Sequence, residues 1–195
     1  MLVHPSAIDL SSRTLRFLTG RLKARRQVVG TRWWRLPASR QALPALAHLR
    51  CGDTYAQPAA GFGIGIATVY RYIRETVEVL ASLVPSLAEA MRTIREKAFV
   101  ILDGTPLPID RIADDTPCHP GKHKRHGMNV QVLTDPLGRL SGPRRHNTTH
   151  AKIRCLGEQA MTTLKSRRPL RKLRCSTTRI TAIAQAVLLL HHATA

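Results

Sequence analysis

Two carboxylates are the side chains of this chain best placed to do chemistry. In "AFVILDGTPLPIDRI", residues 98–112, Ala98 to Leu102 read as a strand covered on both faces, with Asp103 at its tip. Gly104 and the two prolines beyond it are expected to stop regular structure. In "RCLGEQAMTTLK", Arg154 stands four residues before Glu158, and Lys165 seven after it. At about 100° per residue, these three project within one narrow sector of a helix. A turn aspartate and a surface ion pair are the plain alternatives. Such a pair contributes well under about 1 kcal/mol, and Arg before Glu is its weaker order. Hard carboxylates from separate elements hold divalent metals, and flanking cations grip a phosphodiester. Metal-assisted chemistry on a phosphodiester is what these residue types would serve.

The charge agrees with such a substrate. The chain has 195 residues, with 31 Lys and Arg against 12 Asp and Glu, for a net charge of +19. That excess points to a polyanionic partner, most simply nucleic acid. It is unevenly spread: residues 1–52 hold ten basic residues and one acid, Asp9, and residues 136–195 hold twelve and one, Glu158. The middle is balanced at nine to ten. At 43% hydrophobic the chain can build a core. Cys51, Cys118, Cys155 and Cys175 form no CxxC pair, which suits a reduced compartment. Neither a signal peptide nor a membrane span is legible, so a cytoplasmic protein with no membrane partner is expected.

Several elements must position these residues. Residues 1–37 read as a basic, poorly periodic arm, in which Trp33 and Trp34 anchor to the next helix rather than stack on bases. Over 38–50, Leu43, Leu46, Ala47 and Leu49 fall on a helical period that Pro44 interrupts. Asp53 can cap a short helix through Ala60, "GFGIG" makes a turn, and a longer helix follows from Ile66 to about Leu83. Val69, Ile73, Val77 and Leu80 form its buried face. Helix, glycine turn, helix is the helix-turn-helix pattern, presenting Thr68, Tyr70, Arg71 and Arg74 to a major groove. An ordinary helical hairpin fits the same geometry. "GFGIGI" lacks the strand and Lys-Ser/Thr of a phosphate loop. A helix over about 85–97 precedes three short strands in an antiparallel meander: the one ending at Asp103, a second at Leu107–Ile112, and "MNVQVLTD". The helix carrying Glu158 buries Ile153, Leu156, Ala160, Met161 and Leu164, and an apolar helix over about 178–192 closes the chain.

These motifs carry a family resemblance. The chain resembles a bacterial insertion-sequence transposase with a DDE catalytic centre. "FVILDGTPLPIDRI" resembles the first-aspartate strand, and "GKHKRHGMNVQVLTDPLGRL" the basic loop and third strand. "RCLGEQAMTTLK" matches the R-x3-E-x6-K signature, although Ala151 stands where a tyrosine is usual. "DTYAQPAAGFGIGIATVYRYI" resembles the preceding helix-turn-helix. The likeness covers about residues 38–192. It implies an α+β chain, with a helix-turn-helix domain at 38–95 and a ribonuclease H-like domain of meander plus helices at 96–195. It also implies two Mg²⁺ or Mn²⁺ ions held by Asp, Asp and Glu, with Asp103 and Glu158 as two of the ligands. DNA contacts then fall to Thr68, Tyr70, Arg71, Arg74, Lys122, Lys124, Arg125, Arg154 and Lys165. The partner is double-stranded DNA at the terminal inverted repeats of an element, and self-association is open.

One departure decides the expected activity. Only "SGPRRHNTTH" stands after Leu140, where the resemblance calls for a long segment bearing the second aspartate. An internal deletion near 140–141, truncating the catalytic domain, is the simplest account. One ion held weakly and little or no cleavage are then expected, with Asp114, Asp115 and Asp135 as substitute ligands if cleavage survives. A stand-alone DNA-binding regulator using the helix-turn-helix half is the alternative. An RNA-binding protein is disfavoured for want of an aromatic-rich strand. Zinc at Cys118, His119, His123 and His126 is disfavoured because the spacing matches no common finger. A second departure, Pro58 inside the first helix of the helix-turn-helix, is expected to cost about 3 kcal/mol if interior.

Overall fold

In a computed structural model the described residues are 11–30, 34–86, 88–90, 92, 101–108, 127–134, 158, 161–171 and 173–194. The chain divides into two units. The first comprises residues 1–84, 167–169 and 178–195, and the second residues 85–166 and 170–177. Among the described residues, helices with one small antiparallel sheet give an α+β architecture.

The first unit opens with α1, Ser12–Val29. Ser11 caps it, its hydroxyl accepting from the Arg13 and Thr14 amides at 3.2 and 3.4 Å. This helix lies where the sequence reads as an aperiodic arm. Its buried stripe is one residue wide, Thr14, Leu18 and Leu22, so cations on every other side hide the period. The stripe is extended by Arg26, whose guanidinium lies 4.4 Å from the Trp34 ring centroid. That contact ties Trp34 to α1; Trp33 lies outside the described residues.

Helix α2, Ala38–Cys51, runs straight through Pro44, which is buried. The predicted interruption does not occur: Pro44 forfeits one hydrogen bond, but burial of Ala42, Ala45, Leu46 and Leu49 around it offsets that loss. Gly52 closes the helix at φ +71°.

Helix α3 is Ala56–Phe62. Tyr55, rather than the expected Asp53, stands at its cap position and makes no side-chain cap bond, and Gln57 Oε1 accepts from the Thr54 amide at 3.0 Å. Pro58 is the third residue of α3, where the amide it lacks has no intrahelical acceptor. The cost expected of an interior proline therefore does not arise. Gly63 at φ +62° ends α3 in a Schellman motif, with Ile64 N–H on the Ala59 carbonyl at 3.1 Å and Gly63 N–H on Ala60 at 3.4 Å.

Helix α4, Ile66–Ala81, starts where the sequence placed it. Val69, Ile73, Val77 and Leu80 are buried as the period predicts, joined by Tyr72 and Thr76. Val69 and Ile73 pack with Ala45 of α2 and Ala59 of α3, with Tyr55 and Ile64 at the margin. The C-terminal α5, Thr177–Thr194, buries Ile180, Ile183, Ala184, Ala186 and Val187. From residue 178 onward it groups with this first unit, whereas the sequence reading runs the second domain to 195.

The second unit contains β1, Ile101–Pro108, and β2, Gly127–Thr134, paired antiparallel with Asp103 opposite Val132 and Leu107 opposite Met128. The expected strand ending at Asp103 and the one beginning at Leu107 are a single strand. Asp103 is its third residue and not its tip. Prolines do not stop it, for a reason visible in the ladder. The Pro108 carbonyl faces away from β2 and accepts from Leu173 N–H at 3.4 Å. Pro106, two residues earlier, has the same parity, so neither missing N–H belongs to the β1–β2 ladder. Among the described residues the sheet has two strands where a three-strand meander is expected. The helix expected near 85–97 has a start signal in place. Ser86 Oγ accepts from Glu89 N–H at 3.3 Å, while Glu89 Oε2 accepts from Ser86 N–H at 2.7 Å. Helix also covers Glu158 and residues 161–166, with Met161 and Leu164 buried as expected; Ile153, Leu156 and Ala160 lie outside the described residues.

Candidate nucleic-acid interface

Burial of Val69, Tyr72, Ile73, Thr76, Val77 and Leu80 leaves one face of α4 to solvent. Along it lie Ile66, Ala67, Tyr70, Arg71, Arg74 and Glu78, all exposed. Tyr70 is held edge-on against Tyr55, with ring centroids 5.6 Å apart. This contact fixes the ring relative to α3 while 42% of the residue stays exposed. Arg71 reaches back one turn to Thr68 Oγ1 at 3.4 Å, and Thr68 itself is half-buried. Arg74 Nε donates to Glu78 Oε1 at 2.8 Å. That bond raises the Arg74 pKa above the ordinary arginine value, Glu78's charge adding to it. Both partners are more than half exposed, so the pair contributes little and Arg74 can exchange Glu78 for another acceptor at small cost.

The N-terminus of α4 is part of the same face. Gly65 stands at the cap position and offers no side chain, so the first amides of the helix keep their positive end toward whatever approaches. Ile66, 55% exposed, and Ala67 are the residues there that sequence reasoning did not list. The signal was available: both precede Thr68 on the outer face of a helix whose start was read correctly.

A polar relay sets α4 against α1 and α2. Arg26 Nη2 donates to Gln41 Oε1 at 2.6 Å and to the Leu36 carbonyl at 2.7 Å. Gln41 Nε2 donates in turn to Glu75 Oε2 at 2.6 Å. Leu36 N–H donates to the Tyr72 hydroxyl at 3.2 Å. Burial lowers the Arg26 pKa, and the nearby Tyr72 and Glu75 act against that shift. The connector before α2 is thereby fastened to the inner side of α4.

The remaining predicted site residues fall only in part among the described ones. Asp103 has a backbone position on β1, Glu158 is helical and exposed, and Lys165 is exposed. Lys122, Lys124, Arg125 and Arg154 lie outside the described residues, as do Cys118, His119, His123, His126, Asp114, Asp115 and Asp135. Among the described residues no three His, Cys, Asp or Glu side chains gather as a metal site. Nor, among them, is any helix long and apolar enough to cross a membrane.

Three helices, α2 to α4, with a glycine turn between the last two and a last helix that exposes Arg71 and Arg74, form a helix-turn-helix. Residues 34–86 match the family described as helix-turn-helix of DDE superfamily endonuclease. The match begins at Trp34, the ring under Arg26, and ends at Ser86, the capping residue after α4. It thus takes in the whole helix-turn-helix and leaves α1 outside, though Arg26 of α1 bonds into it. No curated protein and no solved structure matches the chain.

Proposed function

We propose that this chain is a DNA-binding protein of the transposase type, which reads double-stranded DNA with α4 and cuts it poorly or not at all. The observation that carries the reading is the match of residues 34–86 to a transposase helix-turn-helix, on a segment whose second helix presents Ala67, Tyr70, Arg71 and Arg74. The first turn of α4 sits nearest the bases and the arginines serve both base edges and phosphates. Terminal inverted repeats of a mobile element are the proposed target.

The catalytic part of the proposal rests on the donor set. Two divalent ions activating an attacking oxygen and stabilising a leaving one need at least three carboxylates fixed together. Asp103 and Glu158 supply two, and residues 141–157 contain no acid. On this reading Asp103 and Glu158 alone do not complete a two-ion centre, so no cleavage step is derived through one. A deletion near 140–141 explains the deficit.

A second reading, a DNA-binding regulator, is favoured by the confinement of the family match to 34–86. Both readings require α4 to bind duplex DNA. Fluorescence anisotropy of the full chain with a duplex library tests that requirement. Sequence-independent binding unaffected by Arg71→Ala and Arg74→Ala together would overturn it. Assay of supercoiled plasmid with Mg²⁺ or Mn²⁺ separates the two readings from an active endonuclease.

A further inference from the structure

We infer that the first turn of α4 reads thymine, with the side chains of Ile66 and Ala67 closing on C5-methyl groups in the major groove of duplex DNA. The inference rests on the reading of α4 as the DNA-contacting helix and adds the base that its apolar end selects. Ile66, 55% exposed, and Ala67, also exposed, are the first two residues of the helix. Neither serves the core. Ile64, two residues earlier, packs against Ala45, Ala59, Val69 and Ile73 instead.

Position on the helix joins these residues to a third. Ile66, Tyr70 and Ala67 project within about 100° of one another, so they form one contiguous apolar ledge. Arg71 and Arg74 continue the same face toward the C-terminus. The ledge is braced from α3: Tyr55 meets the Tyr70 ring edge-on at 5.6 Å, and itself lies 5.2 Å from the His48 ring. Single exposed apolar residues are ordinary on a surface, whereas a braced group of three beside two cations marks a contact.

The N-terminal turns of the second helix of a helix-turn-helix lie nearest the base edges. Ile66 and Ala67 have no side-chain donor or acceptor, so neither reads the hydrogen-bonding pattern of a base. In the major groove the apolar group on a base edge is the thymine C5-methyl, and burying it is what these two side chains can do. Gly65 allows the approach. Its φ is −68°, a Cβ on it would meet nothing within 4 Å, and its bare backbone leaves room beside Ile66. Arg71, one turn on and within 3.4 Å of Thr68 Oγ1, then falls to guanine or to phosphate. Burial of one methyl carries about a fourfold change in affinity.

The probe is a duplex enriched by the full chain from a randomised library, with each thymine replaced in turn by deoxyuridine, which lacks only the methyl. Anisotropy titrations are expected to show a loss of about fourfold at one or two thymines and none at the others. Ile66→Ser and Ala67→Gly should each abolish the loss at one of those positions, because the side chain that met the methyl is gone. The deoxyuridine arm leaves the protein unaltered, so it stands whether or not a variant folds by circular dichroism. Arginine-dependent binding that is indifferent to deoxyuridine at every thymine overturns the inference and leaves the α4 reading in place. Losses undiminished in both folded variants overturn it too, since other side chains then meet the methyl, as does a library from which no sequence is enriched. Binding that ignores Arg71→Ala and Arg74→Ala together removes the α4 reading, and this inference with it.

Discussion

Gln41 and Glu75 are joined across α2 and α4 by a hydrogen bond of 2.6 Å, although Gln41 is 0% exposed. The same amide accepts from Arg26 at 2.6 Å, so one buried side chain holds α1 and α4 to α2 at once. A buried polar group with both ends satisfied makes the packing specific, because any slip of one helix orphans the others.

Gln41→Leu keeps approximate volume and removes both bonds, leaving Arg26 and Glu75 short of a partner. The expected loss of stability is about 2–3 kcal/mol, read from urea unfolding. A loss under about 0.5 kcal/mol would show that water replaces the relay without cost.

Gly52→Ala and Gly30→Ala form a matched pair. Both glycines have left-handed φ, +71° and +68°, but an added Cβ meets Arg168 at Gly52 and nothing within 4 Å at Gly30. Gly30→Ala should cost about 1 kcal/mol for the backbone alone. Gly52→Ala should cost clearly more, since Arg168 backbone and Cβ must also move. Equal costs would mean that residues 167–169 do not press on α2.

His48 makes stability depend on pH. Its Nδ1–H donates to the Asp53 carbonyl at 2.8 Å, and its ring lies 5.2 Å from that of Tyr55. Burial lowers its pKa below 6.5, the bond to the Asp53 carbonyl and the Asp53 charge oppose that shift, and Arg179 adds to it. With a folded pKa below the unfolded one, the unfolded chain binds the proton first. The contribution is full above about pH 6.5 and is lost as pH falls through the folded value. Unfolding midpoints should therefore fall between about pH 7.5 and pH 5.5, and His48→Gln should flatten that dependence.

DNA affinity should fall steeply with salt, because each neutralised phosphate releases counterions. Arg71→Ala and Arg74→Ala should each weaken binding by about 1–3 kcal/mol if they read bases, with the loss concentrated at particular positions of the site. Ala67→Glu should weaken it as well, by placing an anion at the first turn of α4. Anisotropy titrations at two salt concentrations separate these effects.

Cleavage should be absent. On the proposed reading, in which no third carboxylate joins Asp103 and Glu158, the developing charge would lose several kcal/mol of stabilisation, a rate lower by about a thousandfold or more. Nicking of duplex carrying the element ends, abolished by Asp103→Ala, would restore catalysis to the chain and point to Asp114, Asp115 or Asp135 as the missing ligand.

Local chemistry was legible in the sequence. The glycine turn at 63–65, the start of α4 at Ile66 and its stripe Val69, Ile73, Val77, Leu80 follow from φ preferences and a 3.6-residue period, which neighbours along the chain determine. The resemblance to a transposase helix-turn-helix lies in that same stretch, and residues 34–86 carry the match.

Tertiary structure decided what depends on partners distant in sequence. Helix α1 forms on a stripe of Thr14, Leu18 and Leu22 too narrow to read, and is held at its far end by Trp34 and Gln41. Strand β1 runs through Pro106 and Pro108 because both face away from the strand that pairs with it, a parity only the register fixes. Gln41 is indistinguishable from a surface glutamine until Arg26 and Glu75 arrive fifteen residues before it and thirty-four after it. Burial makes a polar side chain structural, and burial is a property of the packed helices rather than of the residue.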